Sequence, residues 1–518
     1  MKRERRVDNE IHREAVPPSA DRNSQAMAFR RSSGSTRQIY LGLLLGVAGI
    51  VALAAYATDL CAAGDRPNIV FILTDDQGYG DAGCHGNPIL KTPNIDKLRS
   101  QSVRFTDFSV SPSCSPTRCA LMTGMHEFKS GVTHTIYGRD RMSRESTTIA
   151  EALKKAGYRT GLFGKWHLGH GKGYEPHERG FDVAMNVRHD SQISHFRPQL
   201  IVNGNGIRKE GYRTDVLFDE AMKFIETNKD GPFFCYLATY SPHWPLKCPE
   251  EYWKPYEGKC GGGTRVFFGM IANIDYNLSR LMEHLDKLQL SDNTVLVFMN
   301  DNGATMGTNV WNAGMRGTKG TTWRGGVRAI SFWRWPGTFK TADVDDMAAH
   351  IDVFPTFMEL AGAKAPPELT KKLDGMSLVP LLTGKGRSDK YNNRYIVTHL
   401  GRWMAPANPD HHKHTHAAVR WKKYNMVAFN GDGGCKEECC ARLQGPNPPS
   451  RWKYSPGKTH IHLKRTKAWE LYDLSSDPGE ENNIAGDQPA LMKEMRTAYD
   501  RWWNEVRPLM INEQTVEE

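Results

Sequence analysis

The sequence lacks several patterns that define common functional classes. Its net charge is +10, yet no basic run is interleaved with aromatic residues in a nucleic-acid-binding motif, so binding to nucleic acid is disfavoured. The cysteine cluster CKEECC at 435–440 has no second cysteine pair at the spacing of a zinc site. We therefore expect a loop stapled by disulfides there. TDLC, which ends at Cys61, lacks the small residues that precede a lipidated cysteine, which disfavours a lipoprotein.

The N-terminal region has the character of a targeting segment. Residues 40–57 form an uninterrupted run of small and apolar residues, preceded by arginines and containing an A-x-A-like cleavage signal at Ala55 and Ala57. We expect a cleaved signal peptide. The alternative is a retained single-span anchor, because the run is about long enough to cross a bilayer. In either case we expect the body of the protein to be exported, to the periplasm or the extracellular space, or to be anchored with its body outside the cytoplasm.

Residues 1–39 are polar, and we expect them to be disordered. They are long for the charged start of a signal peptide, so Met27 is an alternative to Met1 as the first residue. Export permits disulfides but does not assign them. Ten cysteines are present. The candidates for pairing are Cys84, Cys119, Cys235, Cys248, Cys260, Cys435, Cys439 and Cys440.

Four short apolar runs predict buried strands, and each is followed by charged, imidazole or amide side chains. Helical patterns such as 147–157 and 269–288 lie between them. This alternation predicts an α/β domain with a mostly parallel sheet, in which ligands bind at the carboxyl ends of the strands. The runs are PNIVFILTDD (67–76), YRTGLFGKWHLG (158–169), GPFFCYLATYSPHWP (231–245) and NTVLVFMNDNG (293–303).

Two of these strand ends indicate a metal site. Asp75 and Asp76 would repel each other at a buried strand end unless a cation neutralised them. Asp301 and Asn302 supply further oxygen ligands at an equivalent position. Oxygen ligands without a soft donor favour Ca²⁺ or Mg²⁺ over zinc. The simpler interpretation, that Asp75 or Asp301 caps a turn, is weakened by the two equivalent pairs.

Cationic and imidazole side chains from separate segments could clamp an anionic tetrahedral group and move protons. Each of them alone has a simpler explanation as a solvated lysine or a structural histidine. Lys319 lies in the glycine-rich basic stretch 316–328, which could equally be a surface loop. The candidates are Arg118, Lys165, His167, His243 and Lys319.

Cys114 lies among polar residues where a helix is expected to begin, because Pro116 fits a first helical turn and TRCALM continues it. The N-terminus of a helix favours anions. From the residues alone, one interpretation is a thiolate nucleophile, which requires a nearby base.

CSPTR (114–118) followed by CALMTG resembles the signature of the sulfatase family, in which the cysteine is oxidised to formylglycine. GYRTGLFGKWHLG (157–169) resembles the family's second signature. TDDQGYGD, NDNG and LYDLSSDPGEENN are also similar to sulfatase segments and occur in the family order. The resemblance extends over about residues 65–518.

The resemblance implies an alkaline-phosphatase-like α/β domain with a smaller C-terminal α+β subdomain that contains an antiparallel sheet. The expected organisation is a tail with a signal peptide or anchor at 1–63, a catalytic domain at 64–388 and a subdomain at 389–518 that completes the pocket. A formylglycine-generating, or sulfatase-maturing, enzyme is the implied partner.

The resemblance also implies the site. One Ca²⁺, with Mg²⁺ as the alternative, is held by Asp75, Asp76, Asp301, Asn302 and the modified residue 114. One hydroxyl of the hydrated formylglycine attacks sulfur, and the second helps to expel sulfate. Asp301 takes a proton from the attacking hydroxyl, and Arg118 holds the hydrate. Lys165 and Lys319 stabilise charge on the sulfuryl oxygens. His243, with Lys319, protonates the leaving oxygen, and His167 helps to deprotonate the second hydroxyl.

The expected reaction is hydrolysis of sulfate esters, with sulfated carbohydrates as natural substrates and aryl sulfates as simple ones. The alternatives are a phosphate or phosphonate ester hydrolase of the same superfamily, a cysteine-thiolate hydrolase and an inactive sulfated-glycan-binding protein. Residues 404–424, rich in histidine, lysine and aromatic residues, are expected at the pocket mouth rather than as a metal site. Tryptophans could stack on sugars, although most are expected in the core.

Overall fold

The central sheet contains all four strands that the sequence predicts. A computed structural model of the chain describes residues 66–136, 138–187, 194–386, 388–402, 408–429 and 469–510. The strands are β1 (Asn68–Thr74), β2 (Val103–Phe105), β3 (Phe108–Ser109), β4 (Arg159–Gly164), β5 (Val183–Asn186), β6 (Gln199–Val202), β7 (Asn205–Arg208), β8 (Phe233–Ala238), β9 (Thr294–Asn300), β10 (Ser331–Arg334), β11 (Ala342–Val344), β12 (Ala348–Ala349), β13 (Ile396–His399), β14 (Ala417–Trp421), β15 (Tyr424–Ala428) and β16 (Glu470–Asp473).

Helices connect and flank these strands. Both predicted helical patterns are confirmed, the first as α3 and the second within α6. The helices are α1 (Pro93–Ser100), α2 (Cys114–Thr123), α3 (Ile149–Lys155), α4 (Arg213–Thr227), α5 (Glu250–Trp253), α6 (Gly262–Lys287), α7 (Arg324–Val327), α8 (Val353–Leu360), α9 (Pro367–Thr370), α10 (Val379–Leu382), α11 (Asp389–Asn392) and α12 (Pro489–Val506).

The large sheet has ten strands in the order β11-β2-β10-β9-β1-β8-β4-β5-β6-β7. The central strands β9, β1, β8 and β4 are mutually parallel neighbours, whereas β10, β6 and β7 run antiparallel to their neighbours. The sheet is therefore mixed at its edges and parallel at its centre. A parallel centre buried on both faces explains why these strands read as continuous apolar runs.

Alternate residues of β1 enter two separate cores, one on each face of the sheet. Ile69, Phe71 and Leu73 pack into the first core, and Val70 and Ile72 pack into the second. Burying one such side chain contributes about 1.5–3 kcal/mol, so both faces hold β1 in register. A shift of β1 by one residue along its neighbours would exchange the side chains that face the two cores. It would also move the residues that follow the strand.

A second, antiparallel sheet has the order β13-β14-β15-β16. Its apolar face packs against the C-terminal helix α12, which contributes Met495, Tyr499 and Trp503 to the same core as Val419 and Leu471. The predicted fold class, a mostly parallel sheet with helices plus a smaller α+β part containing an antiparallel sheet, is confirmed. The predicted boundary between residues 388 and 389 stays a prediction.

Disulfides do not form among the cysteines that the structure describes. Cys84, Cys114, Cys119, Cys235, Cys248 and Cys260 are free thiols. The predicted stapled loop at 435–440 and the predicted signal peptide or anchor at 40–57, with Cys61, lie outside the described residues. Within the described ranges, no helix has the length and apolar character needed to cross a bilayer.

A buried ion pair joins α8 to the chain segment that leads into β13. Both oxygens of Asp352 accept hydrogen bonds from the Arg394 guanidinium, at 2.7 and 2.6 Å. The same carboxylate accepts from the backbone N–H groups of Ala349 and Met376. Asp352 is fully buried, so its charge depends on these four donors.

We expect Arg394→Leu to lower the free energy of unfolding by about 3–5 kcal/mol, because it leaves a buried carboxylate without its counter-charge. Urea denaturation measures the change. Lys254→Ala is the control: Lys254 pairs with Glu250 on the surface, and its loss should cost at most about 0.5 kcal/mol. Equal effects of the two variants would contradict the assigned role of the buried pair.

Candidate active site

The carboxyl ends of the four central strands open into one cavity of about 1050 Å³. β9, β1, β8 and β4 are parallel neighbours, so the residues that follow them lie at the same edge of the sheet. Seven of the predicted site residues line this cavity: Asp75, Asp76, Cys114, Lys165, His167, His243 and Lys319. Arg118, Asp301 and Asn302 are buried directly behind it and contact the lining residues.

Hydrogen bonds to neighbouring segments fix the acidic residues after β1 and β9. The N–H of Asp301 donates to the carbonyl of Thr74, and the N–H of Asp75 donates to the carbonyl of Ser241. Asp76 adopts a positive φ of 71°, and its N–H donates to Oδ1 of Asp301 at 3.1 Å. A left-handed backbone at a non-glycine residue persists only where its surroundings hold it, and such residues cluster at functional sites.

Lysines pair with the two carboxylates that follow β1. Lys165 donates to Oδ2 of Asp75 at 2.6 Å, and Lys319 donates to Oδ1 of Asp76. Burial alone would raise the pKa of Asp75, but the surrounding positive charges, led by Lys165, hold the pKa of this carboxyl well below its usual range. The adjacent acids are thus ionised together because each has its own counter-charge.

Asp301 pairs with Arg118. Oδ2 of Asp301 accepts from the Arg118 guanidinium at 2.7 Å, and Arg118 also donates to the carbonyl of Lys165. Burial, followed by the neighbouring charge of Asp75, raises the pKa of Asp301 to about 7. Asp301 is therefore a carboxyl group that can exchange a proton near neutral pH.

Cys114 is the first residue of α2, as the sequence predicts, with Ser113 as its N-cap. Arg118 follows four residues later and so lies on the same face of the helix. Sγ of Cys114 accepts a hydrogen bond from Lys319 at 3.3 Å, and the residue is only 2% exposed. Burial raises the pKa of the Cys114 thiol to about 11, despite the nearby lysines. At neutral pH the group is a thiol, which disfavours the thiolate interpretation.

Gly164, the last residue of β4, allows β4 to approach β8 closely just before Lys165. Its φ is 120°, and a Cβ at this position would lie 1.8 Å from the carbonyl oxygen of Ala238 on β8. That carbonyl accepts from the N–H of Lys165 at 2.7 Å. Only glycine can place the two chains this close, and the close approach directs Lys165 to Asp75.

The donor set fits a hard cation. Oδ1 of Asp75 and Oδ1 of Asn302 are buried and have no hydrogen-bond partner, so each is an oxygen left open to a positive ligand. One oxygen or sulfur from each of Asp75 and Asp76 and from Cys114, and one nitrogen of His243, lie within 4.8 Å of one another. Among the described residues this is the one such cluster of His, Cys, Asp and Glu.

The predicted metal ligands differ in whether their oxygens already accept hydrogen bonds. Both oxygens of Asp301 already accept hydrogen bonds, from Asp76 and from Arg118, and Asp301 is absent from the compact donor cluster, where His243 stands instead. Asn302 donates to Oδ1 of Asp76 at 3.0 Å, which leaves its own Oδ1 open to a cation.

The two predicted histidines lie in different parts of the cavity. Nε2 of His243 is 3.8 Å from Oδ2 of Asp76, and the side chain is 35% exposed, so it faces both the acids and the opening. His167 has a positive φ of 60°, and its Nε2 donates to the carbonyl of Thr135 at 2.8 Å. His167 therefore lines the cavity while this nitrogen is engaged by the loop beside it.

Arg213 and Trp244 are among the residues that line the cavity but were not singled out from the sequence. Arg213 is the first residue of α4, an unfavourable place for a cation because the N-terminus of a helix is positive. The sequence gave no signal for it, because no helix was predicted to begin there. Trp244 follows His243 directly and is 73% exposed, while Trp323, Trp333 and Trp503 are buried.

The histidine-rich stretch at 404–424 is described only from residue 408 onward. His412 is buried, and residues 417–421 form β14. Arg402, just before the stretch, lines the cavity. Among the described residues, no histidine of the stretch belongs to a cluster that could hold a metal, and its position at the pocket mouth stays a prediction.

Two family models match the chain. The model described as Sulfatase matches residues 67–363, a span that contains every predicted catalytic and metal-binding residue. The model described as N-sulphoglucosamine sulphohydrolase, C-terminal, matches residues 323–439.

Relatives of known function and solved structures agree with these matches. The chain is 31% identical to arylsulfatase A of Homo sapiens over 84% of its own length and 86% of that protein. It is 28% identical to an N-acetylgalactosamine-6-O-sulfatase of Bacteroides thetaiotaomicron, over 83% and 92% of the two chains. The crystal structure of Ps i-CgsB in complex with k-i-k-neocarrahexaose is similar with a TM-score of 0.72 and 26% identity, covering 87% of this chain and 96% of that one. The chain therefore belongs to the sulfatase family, the enzymes that hydrolyse sulfuric esters.

Proposed function

We propose that the protein hydrolyses sulfate esters of carbohydrates to an alcohol and inorganic sulfate, with residue 114, oxidised from cysteine to formylglycine, as the nucleophile. The observation that carries the proposal is the position of Cys114. Its Sγ lies at the N-terminus of α2, beside Lys319 and within 4.8 Å of donor atoms of Asp75, Asp76 and His243. A nucleophile placed there meets cations and a proton donor at once.

Formylglycine, once hydrated, supplies two hydroxyls on one carbon, of which one attacks sulfur and the other allows sulfate to leave. A divalent cation supplies positive charge that polarises the sulfuryl oxygens. Asp75, Asp76, Asp301, Asn302 and residue 114 would hold that cation. Ca²⁺ is the proposed ion, because the open donors are hard oxygens.

The chain's own side chains provide the remaining functions. Asp301 is a buried carboxylate whose pKa is raised by burial and which contacts Arg118 on the helix of the nucleophile, so it is suited to hold the proton that the nucleophile gives up. Lys165 and Lys319 are positioned to hold the negative sulfuryl oxygens. His243 is partly exposed beside Asp76, so it can deliver a proton to the leaving alcohol at the cavity opening.

Arg118 and His167 complete the proposed machinery. Arg118 orients Asp301 through a hydrogen bond and lies one turn beyond residue 114 on α2, so it can hold the nucleophile in place. We assign to His167 the deprotonation of the second hydroxyl, since its ring lines the same cavity.

A natural carbohydrate substrate is supported by the relatives, one of which is named as an N-acetylgalactosamine-6-O-sulfatase, and by the complex of Ps i-CgsB with k-i-k-neocarrahexaose. The cavity of about 1050 Å³ also has room for more than a sulfate group. We expect simple aryl sulfates to be accepted as well.

We further propose that residues 64–388 form the catalytic domain and that the region from 389 completes the pocket, because Arg402 lines the cavity. The apolar run at 40–57 supports export, to the periplasm or beyond, with a membrane anchor as the alternative. A formylglycine-generating or sulfatase-maturing enzyme is then the required partner.

The first prediction concerns the chemistry of residue 114. When the protein is produced together with a sulfatase-maturing enzyme, we expect the peptide that carries residue 114 to contain an aldehyde in place of the thiol. Mass spectrometry measures this directly, with a known sulfatase as the control for the maturing enzyme. An intact cysteine here, beside a modified control, would exclude the proposed nucleophile and favour a thiolate enzyme or an inactive glycan-binding protein.

Variants at the same position separate the two hydroxyls. We expect Cys114→Ala to abolish turnover of 4-nitrophenyl sulfate without changing the unfolding midpoint. Cys114→Ser should release at most one equivalent of 4-nitrophenol and retain sulfate on residue 114, because serine has one hydroxyl and cannot expel it. Catalytic turnover by Cys114→Ala would contradict the proposal, as would faster hydrolysis of phosphate than of sulfate esters by the mature enzyme.

The third prediction concerns the cation. After chelation, Ca²⁺ at about 100 times its Kd should stabilise the protein by about 2.7 kcal/mol, since it binds only the folded chain. Thermal unfolding and calorimetry measure this without turnover. Asn302→Ala should weaken the binding, whereas Glu250→Gln, which changes an exposed carboxylate, should leave it unchanged. Equal Ca²⁺ affinity in Asn302→Ala and the unmodified protein would remove Asn302 from the site.

A further inference from the structure

Arg213 is a buried cation without a carboxylate partner. The residue is 2% exposed, it lines the cavity, and its Nη1 has no hydrogen-bond partner. Among the described residues no carboxylate forms an ion pair with it. Asp75 is the carboxylate whose charge reaches Arg213, and Asp75 already pairs with Lys165.

Comparison with Arg118 shows how unusual this is. Burial disfavours the charge of both guanidiniums, but at Arg118 the surrounding acidic groups, led by Asp301, together outweigh burial and raise the pKa. At Arg213 nothing outweighs burial, and the pKa lies below its ordinary value. Arg213 also begins the 15-residue helix α4, whose N-terminus is itself positive. Desolvation and the helix dipole both disfavour a cation here, so stability of the fold does not account for it.

The surroundings hold Arg213 in place. Its guanidinium lies 4.7 Å from the ring centre of Tyr240. Thr214 and Ser241 are joined by a hydrogen bond of 2.8 Å, and the hydroxyl of Tyr212 donates to the carbonyl of Lys247 at 2.9 Å. The start of α4 is therefore fastened on both sides to the segment 240–247, which also carries His243.

Trp244 belongs to that same segment and lines the same cavity. Its indole is 73% exposed, so it offers a flat apolar surface to a ligand. An aromatic surface and an unpaired cation line the same cavity as His243, and these are the two features needed to bind a sugar ring that carries an anionic substituent.

We propose that Arg213 and Trp244 form a subsite for a second acidic group of the carbohydrate substrate, a sulfate or a carboxylate other than the sulfate that is cleaved. The inference rests on the proposed function and makes it narrower, because the substrate class becomes a sugar with at least two acidic groups. Arg213 pairs with the second group, and Trp244 stacks on the ring.

Matched sugars test this with the mature, full-length enzyme. The probes are N-acetylgalactosamine 6-sulfate, N-acetylgalactosamine 4,6-disulfate and the disaccharide of glucuronate with N-acetylgalactosamine 6-sulfate. We expect kcat/KM to be at least about 10-fold higher for a sugar with the second acidic group, since a hydrogen bond to a charged partner has that strength. Which of the two diacidic sugars benefits distinguishes sulfate from carboxylate.

Arg213→Gln should reduce the ratio of kcat/KM between the diacidic and the monoacidic sugar to about 1, and Arg213→Lys should retain part of the preference. Trp244→Ala should raise KM for all three sugars and leave the ratios of their kcat/KM values unchanged, because stacking does not depend on the second charge. Lys223→Gln is the matched control: it removes an exposed cation from the same helix and should change neither quantity. Unfolding midpoints show whether Arg213→Gln is folded; if it is not, the preference of Arg213→Lys decides.

Calorimetry with the Cys114→Ala protein measures binding of the same sugars without turnover. If a diacidic sugar binds more tightly and this gain disappears in the Cys114→Ala, Arg213→Gln double variant, the subsite is supported. Absence of sulfate ester hydrolysis by the mature enzyme would refute the proposed function but would leave this binding result intact. No preference for the second acidic group in the unmodified protein, or a preference that survives Arg213→Gln, would overturn the inference.

Discussion

The site depends on the neutralisation of buried carboxylates by buried cations. Three aspartates lie at the ends of two adjacent strands, with almost no access to water. Each has its own cation: Lys165 for Asp75, Lys319 for Asp76 and Arg118 for Asp301. Without these partners the acids would protonate or repel one another. Because the cations come from the residue after β4, from α2 and from the loop after β9, the pairing also holds distant parts of the chain together.

The parallel centre of the sheet makes this arrangement possible. Parallel strands end at the same edge, so every charged residue that follows a central strand enters the same cavity. The apolar residues of β1 are divided between two cores, which fixes the register and with it the positions of Asp75 and Asp76. Gly164 on β4 does the same for Lys165, since no larger residue allows the close approach to β8.

Much of this could be predicted from the sequence because the signals are local. The four apolar runs, the charged residues that follow them and the helix start at Cys114 are each readable within about a dozen residues. The family resemblance then placed Lys319 and His243, whose own segments read equally well as surface loops. The strands β5 to β7 at one side of the sheet have only four residues each, so they gave no comparable signal.

Contacts between side chains that are distant in the sequence could not be predicted in the same way. The sequence indicates Asp301 as a metal ligand, but only the folded chain shows that Arg118 and the N–H of Asp76 also donate hydrogen bonds to its two oxygens. Arg213 looked like any arginine until its burial and its lack of a carboxylate partner among the described residues became visible. The free thiols show the same limit. An even number of cysteines permits disulfides, but the distances between the cysteines in the fold decide whether disulfides form.

The burial of α2 sets an order of events. All ten residues of this helix are buried, and Cys114 is 2% exposed at the inner end of a cavity. A second protein cannot bring its own active site to that sulfur once the helix has packed. On the proposed function, an enzyme that oxidises Cys114 would therefore have to act on the extended chain, during synthesis or export. A molecule that folded first would keep its thiol, so the oxidised fraction would depend on the relative rates of oxidation and folding.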